Sequence, residues 1–200
     1  MSDFFLGMVG ASLIEQCAVA LGLINVSLII RRSVWNFPFG LLMVVLYAKI
    51  FYDYRLYSDA LLQIYFFAIQ IYGWWYWLKG RDHSGLVVVV RLPLAHWPLY
   101  ALLALAGVAL LGTVMDRLTD ADYAYWDATI AILSVIAQFL MSRRILESWL
   151  IWITVDVLAI GLYAAKGLNP TAALYALFLV LASVGFVAWL RAYNKGVPVN

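Results

Sequence analysis

Residues 73–79 read Gly-Trp-Trp-Tyr-Trp-Leu-Lys, and residues 185–191 read Gly-Phe-Val-Ala-Trp-Leu-Arg. Glycine, tryptophan, leucine and a basic residue return in the same order 112 positions later. The same ungapped offset sets Arg31-Arg32 on Arg143-Arg144, Leu56 on Leu168, Ala60 on Ala172, Leu62 on Leu174 and Phe66 on Phe178. It also sets Glu15 on Asp127. Leucine and alanine matches come cheaply in an apolar chain. The paired arginines and the Gly-x-x-x-Trp-Leu-basic ending do not, and they mark an internal repeat.

The medium around that repeat follows from composition. The 200 residues are 66% hydrophobic and 12% charged, with a mean hydropathy of +0.92. Soluble domains are about half apolar and about a quarter charged. A helix needs about 20 apolar residues to cross a bilayer. Segments of that kind fall at about 9–30, 34–52, 57–78, 97–115, 123–141, 146–164 and 170–192. The repeat therefore covers helices one to three (about 9–79) and five to seven (about 123–191), leaving a linker helix at about 97–115. Three spans invert the direction of the chain, and one extra span restores it. The expectation is an all-α integral membrane protein with seven transmembrane helices. They are arranged 3+1+3, with two parallel three-helix repeats forming one transporter domain. Substrate in such folds sits near the midplane between the repeats. Leu86 to Val90 is apolar but too short to span, and belongs at the interface or in an extended piece of the long connector. Pro170 suits the first turn of the last helix.

Basic residues orient the chain. Arg31, Arg32, Lys79, Arg81, Arg91, Arg143, Arg144, Arg191 and Lys195 fall on one side, against Lys49, Arg55, Arg117 and Lys166 on the other. The C-terminus is expected in the cytoplasm and the N-terminus outside. No basic stretch precedes the first apolar run, which Glu15 and Gln16 interrupt, so that run reads as a retained helix and not a signal peptide. A net charge of +2 makes no case for a nucleic-acid partner. Cys17 has no mate for a disulfide and reads as a buried, inert thiol. His83 and His96 lie in the connector without metal-ligand spacing. Phosphate-loop, nucleophile-elbow and zinc-protease motifs are missing from the sequence. Nothing argues for an enzyme, a cofactor or a metal.

Polar groups in the spans carry the functional signal, because a charge at mid-helix costs about 2.5–3.5 kcal/mol on insertion scales. Asp156 shares one helical face with Trp149, Trp152 and Tyr163. Two indoles, a carboxylate and a phenol form a candidate cage for a flat, cationic solute. Interfacial anchoring is the rival explanation for Trp149. In the third helix Gln63 and Gln70 continue into Trp74 and Trp77, with interhelical hydrogen bonding the alternative to substrate contact. Most of the Trp74–Trp77 cluster reads as an aromatic belt. In the second helix Asn36, Gly40, Met43 and Tyr47 share a face. Glu15 and Asp127 are each expected to pair with nearby groups near the outer side, with lining the entrance as the alternative. A seven-helix sensor and a membrane enzyme are the rival classes; the repeat favours transport.

Asn36-Phe37-Pro38-Phe39-Gly40-Leu41, Leu61-Leu62-Gln63 and Ile71-Tyr72-Gly73-Trp74 resemble the first half of the PnuC-type vitamin transporters. Trp126-Asp127, Glu147-Ser148-Trp149-Leu150-Ile151-Trp152 and Gly185…Trp189 resemble the second half. The resemblance implies a SWEET-like carrier in the bacterial inner membrane, assembled as a homotrimer. It implies uptake of nicotinamide riboside by facilitated diffusion, with phosphorylation trapping the product. It places Trp149 and Trp152 at the substrate's ring, with Gln63, Gln70 and Asp156 as polar contacts. Thiamine- and riboflavin-carrying relatives share the pattern, and Asp156 is a carboxylate where an amide would suit a neutral carboxamide.

Overall fold

The structure, a computed structural model, describes residues 13–53, 57–119 and 122–196. Among them are seven helices: α1 Leu13–Ile30, α2 Asn36–Asp53, α3 Tyr57–Lys79, α4 Trp97–Leu118, α5 Ala124–Ser142, α6 Ser148–Ala165 and α7 Asn169–Gly196. One 3₁₀ turn, Leu94–His96, leads into α4. Five of these helices (α1, α4 with its 3₁₀ turn, α5, α6 and α7) are long and apolar enough to cross a membrane. Helices α2 and α3 are less apolar because they carry Asn36, Lys49 and Asp53, and Gln63 and Gln70. The outer surface asks for lipid: on α4 alone Leu102, Leu105 and Leu110 are 64–71% exposed. Apolar faces that continuous do not suit water. Cys17 is exposed on α1, which corrects the expectation of a buried thiol.

Consecutive helices pack as hairpins, α1–α2–α3 and α5–α6–α7, with α4 against α5. Two further contacts, α3 with α5 and α7 with α1, join the two groups. Helices α2 and α6 begin and end 112 positions apart. The turns that precede them correspond bond by bond. Arg32 and Arg144 are both left-handed, with φ of 57° and 63°. The amide of Arg32 donates to Ile29 O at 2.8 Å, and that of Arg144 to Met141 O at 2.9 Å. Ser33 N to Leu28 O and Ile145 N to Leu140 O both measure 3.0 Å. These are Schellman caps, a motif that ordinarily takes glycine at the left-handed position.

Arginine is tolerated there because its side chain is used. Residues 80–93 form a strap across both turns. Val87 N donates to Arg32 O at 3.2 Å, and Val90 N to Arg144 O at 3.0 Å. In return Arg32 Nη1 donates to Val87 O, while Arg144 Nη1 donates to Gly80 O and Val88 O. Leu146 N reaches back to Val90 O at 2.9 Å. Arg91 pairs with the buried Glu147, whose second oxygen accepts from Leu92 N at 2.8 Å. The apolar run at 86–90 is thus an extended piece with Val87 and Val89 buried. Its exposed tip is closed by the Asp82 carboxylate, which accepts from Ser84 and Leu86. The loops at 31–35, 80–93 and 143–147 therefore share one end of the molecule. At the other end Lys166 pairs with Asp127 at 2.7 Å.

Candidate functional site

Between the two helical groups lies a cavity of about 110 Å³. Its polar wall consists of four amides, Asn25, Asn36, Gln70 and Gln138, with Ser142 beside them. Its aromatic wall is Phe37, Phe66, Trp77 and Trp152, and Ile29, Met43, Val44 and Met141 complete it. No lining side chain carries a charge. Asn25 Nδ2 donates to Asn36 O at 2.8 Å, and Asn36 Nδ2 to Ser33 O at 2.6 Å, so both asparagines are fixed. Gln70 is 5% exposed, yet among the described residues its amide has no hydrogen-bond partner. A buried polar group is expected to have one, and Gln70 turns its unused capacity to the cavity it lines.

The residues singled out in the sequence separate in space. Asn36, Gln70 and Trp152 meet at the cavity. Gln63 instead lines an apolar groove of about 210 Å³ between α2 and α3. Trp149 lies behind the cavity wall, 2% exposed. Its ring fills the notch at Gly185, where an added Cβ would come 2.5 Å from it, and meets Trp189 edge-on at 5.6 Å. Phe37 does the same in the first group, seated against Gly73 and edge-on to Trp77 at 5.3 Å. Trp77 is 1% exposed, so this member of the expected aromatic belt is core. Trp75, 52% exposed, does sit outward with the Lys79 ammonium over its ring.

Asp156 is buried one turn beyond Trp152 and does not line the cavity. Tyr163 stacks on Tyr175 at 5.3 Å, and Tyr47, Asp156 and Tyr163 all lie within electrostatic reach of Tyr175. Tyr163 is about 16 Å farther along α6 than Trp152 at 1.5 Å rise per residue. These groups form a second polar cluster, on the side of the cavity away from the strap.

Asn25 and Gln138 escape the sequence analysis because each is an amide set in a long apolar stretch, with no periodic companion. Their only signal is the cost of a polar group at that depth.

An uncharged cavity between two groups of helices, in a chain with five helices long and apolar enough to cross a membrane, fits a multi-pass membrane transporter. Residues 12–191 match the family model described as nicotinamide mononucleotide transporter, and the chain belongs to that family. It is 29% identical to the nicotinamide riboside transporter PnuC of Escherichia coli K12, over 92% of this chain and 87% of that one. It is 30% identical to the riboflavin/roseoflavin transporter RibM of Streptomyces davaonensis, over 90% and 85%. A crystal structure of the vitamin B3 transporter PnuC shares the fold, with a TM-score of 0.76 at 24% identity over 92% of this chain and 83% of that one.

Proposed function

We propose that this protein takes up nicotinamide riboside across the bacterial inner membrane by facilitated diffusion. The observation that carries this reading is the lining itself, four amides and four aromatic rings without a single charge. Aromatic faces suit a flat cationic pyridinium, and amides suit a carboxamide and ribose hydroxyls. A mononucleotide would bring a phosphate of nearly two negative charges into a chamber with no base to meet it. The riboside therefore fits better than its phosphate, and phosphorylation in the cytoplasm would trap it. The nicotinamide riboside transporters among the relatives support the same choice.

The cavity is smaller than the roughly 150 Å³ that holds one benzene and well below the roughly 300 Å³ of ordinary ligand sites. Substrate must therefore spread the helices on entry. That demand favours the pyridine ring over a three-ring flavin. Riboflavin remains the second reading because of the 30% identical riboflavin/roseoflavin transporter, and thiamine is the third solute to test.

The assembly is read as a homotrimer in the lipid bilayer, with the N-terminus periplasmic and the basic end, with the C-terminus, cytoplasmic. Trp149, Gln63, Asp156 and Tyr163 act from behind or beside the chamber, and Trp152, Gln70 and Asn36 touch substrate. Purified protein in proteoliposomes, offered labelled nicotinamide riboside, its 5′-phosphate, thiamine and riboflavin, tests this. Selective equilibration of the riboside is expected, and equal uptake by empty liposomes would refute it.

A further inference from the structure

Position 40 sets the two halves apart in side-chain size. The 112-residue offset sets Gly40 of α2 on Trp152 of α6, so α6 sends an indole to the chamber at the register where α2 has no side chain. Gly40 is buried in an ordinary right-handed helix, and its backbone needs no glycine. Helix propensity favours alanine there. Space must therefore be the reason. A Cβ on Gly40 would overlap Oε1 of Gln70 and come 2.5 Å from Nδ2 of Asn25. The absent side chain is what lets both amides converge on the bare backbone of α2.

We propose that Gly40 is a specificity-determining position that holds Asn25 and Gln70 as a subsite for the carboxamide of the substrate. This rests on the nicotinamide riboside reading. Asn25 is fixed by its bond to Asn36 O. Gln70, buried and with no partner among the described residues, offers both a donor and an acceptor. A planar carboxamide has the complementary pair. Substrates lacking that group leave Gln70 unpaired and are rejected for that reason.

The test compares nicotinamide riboside with N-ribosylpyridinium, the same cation without its carboxamide, in proteoliposome uptake. Gly40→Ala is expected to raise KM for nicotinamide riboside about tenfold, with maximal rate within about twofold and little change for N-ribosylpyridinium. Gly40→Ala/Gln70→Asn shortens the displaced amide by one methylene, makes room for the methyl, and should recover most of the lost KM. An unchanged KM, an equal rise for both solutes, or no recovery in a monodisperse double variant overturns the assignment. Should Gly40→Ala not fold, Gln70→Ala leaves α2 untouched and must abolish the preference between the two solutes; a retained preference overturns it too. If the wild-type protein moves no nicotinamide riboside, the transport reading and the subsite fall together. If it does and the variants match it, the subsite alone falls.

Discussion

Trp77 and Trp189 exchange partners across the molecule. Trp77 Nε1 donates to Met141 O at 3.2 Å, while Trp189 Nε1 donates to Ile29 O at 3.0 Å. Each indole belongs to one half and its acceptor to the other, and donors and acceptors alike are 112 residues apart. Their rings meet at 5.8 Å. Such reciprocity is what two parallel repeats related by an approximate two-fold would produce, and it sits on the strap side of the chamber. Trp77→Phe and Trp189→Phe each keep a ring but remove one buried hydrogen bond, leaving the carbonyl with its capping amide from Arg144 or Arg32. Each should cost about 1 kcal/mol of stability, read from thermal melting in detergent. Because the rings touch, the double variant should depart from additivity by about 0.5 kcal/mol or more; strict additivity would mean the bonds act separately.

Arg144 does more than its counterpart Arg32. Its guanidinium ties the second half to Gly80 and Val88 of the strap and lies 4.7 Å from the Tyr76 ring. Arg144→Met keeps the aliphatic stem and removes the three-way link. Trypsin should then cut after the exposed Arg81 several-fold faster than in the wild type, since proteolysis follows the population of the opened segment. Arg32→Met, losing a single bond to Val87 O, should accelerate cutting less.

Much of this was legible because it repeats. Paired arginines, Gly73 with Trp77, and Gly185 with Trp189 recur at one offset, and they proved to be the caps, notches and indoles that join the halves. What could not be read was which neighbour each face meets. Trp149 and Trp152 lie on one side of α6, but Gly185, 36 positions downstream of Trp149, pulls that ring out of the chamber. Gly40 gives no sign of its use until Gln70 and Asn25 are seen to occupy its space.

The two α6 tryptophans should consequently separate binding from stability. Trp152→Ala is expected to weaken nicotinamide riboside binding by at least about 1 kcal/mol, roughly fivefold in Kd, since ring and cation–π contacts are of that order. Its melting temperature should fall far less than that of Trp149→Ala, which empties a packed core position at a cost of about 3–5 kcal/mol. Calorimetric titration alongside thermal melting checks both. Equal binding losses at equal stability would place Trp149 in the chamber wall.

Asp156 poses the remaining electrostatic question. It is buried beside the tyrosine cluster and one turn from Trp152, outside a chamber whose own lining carries no charge. A cationic solute passing within a few ångströms gains from a carboxylate that a neutral one does not use, and Asp156→Asn keeps the shape while removing the charge. Uptake of the pyridinium riboside should therefore slow at least about threefold, while the neutral dihydropyridine riboside enters at the wild-type rate. The ratio of the two rates, measured in the same vesicles, cancels any loss of folded protein. Equal slowing of both solutes would assign Asp156 to packing of the tyrosine cluster, with no electrostatic part in transport.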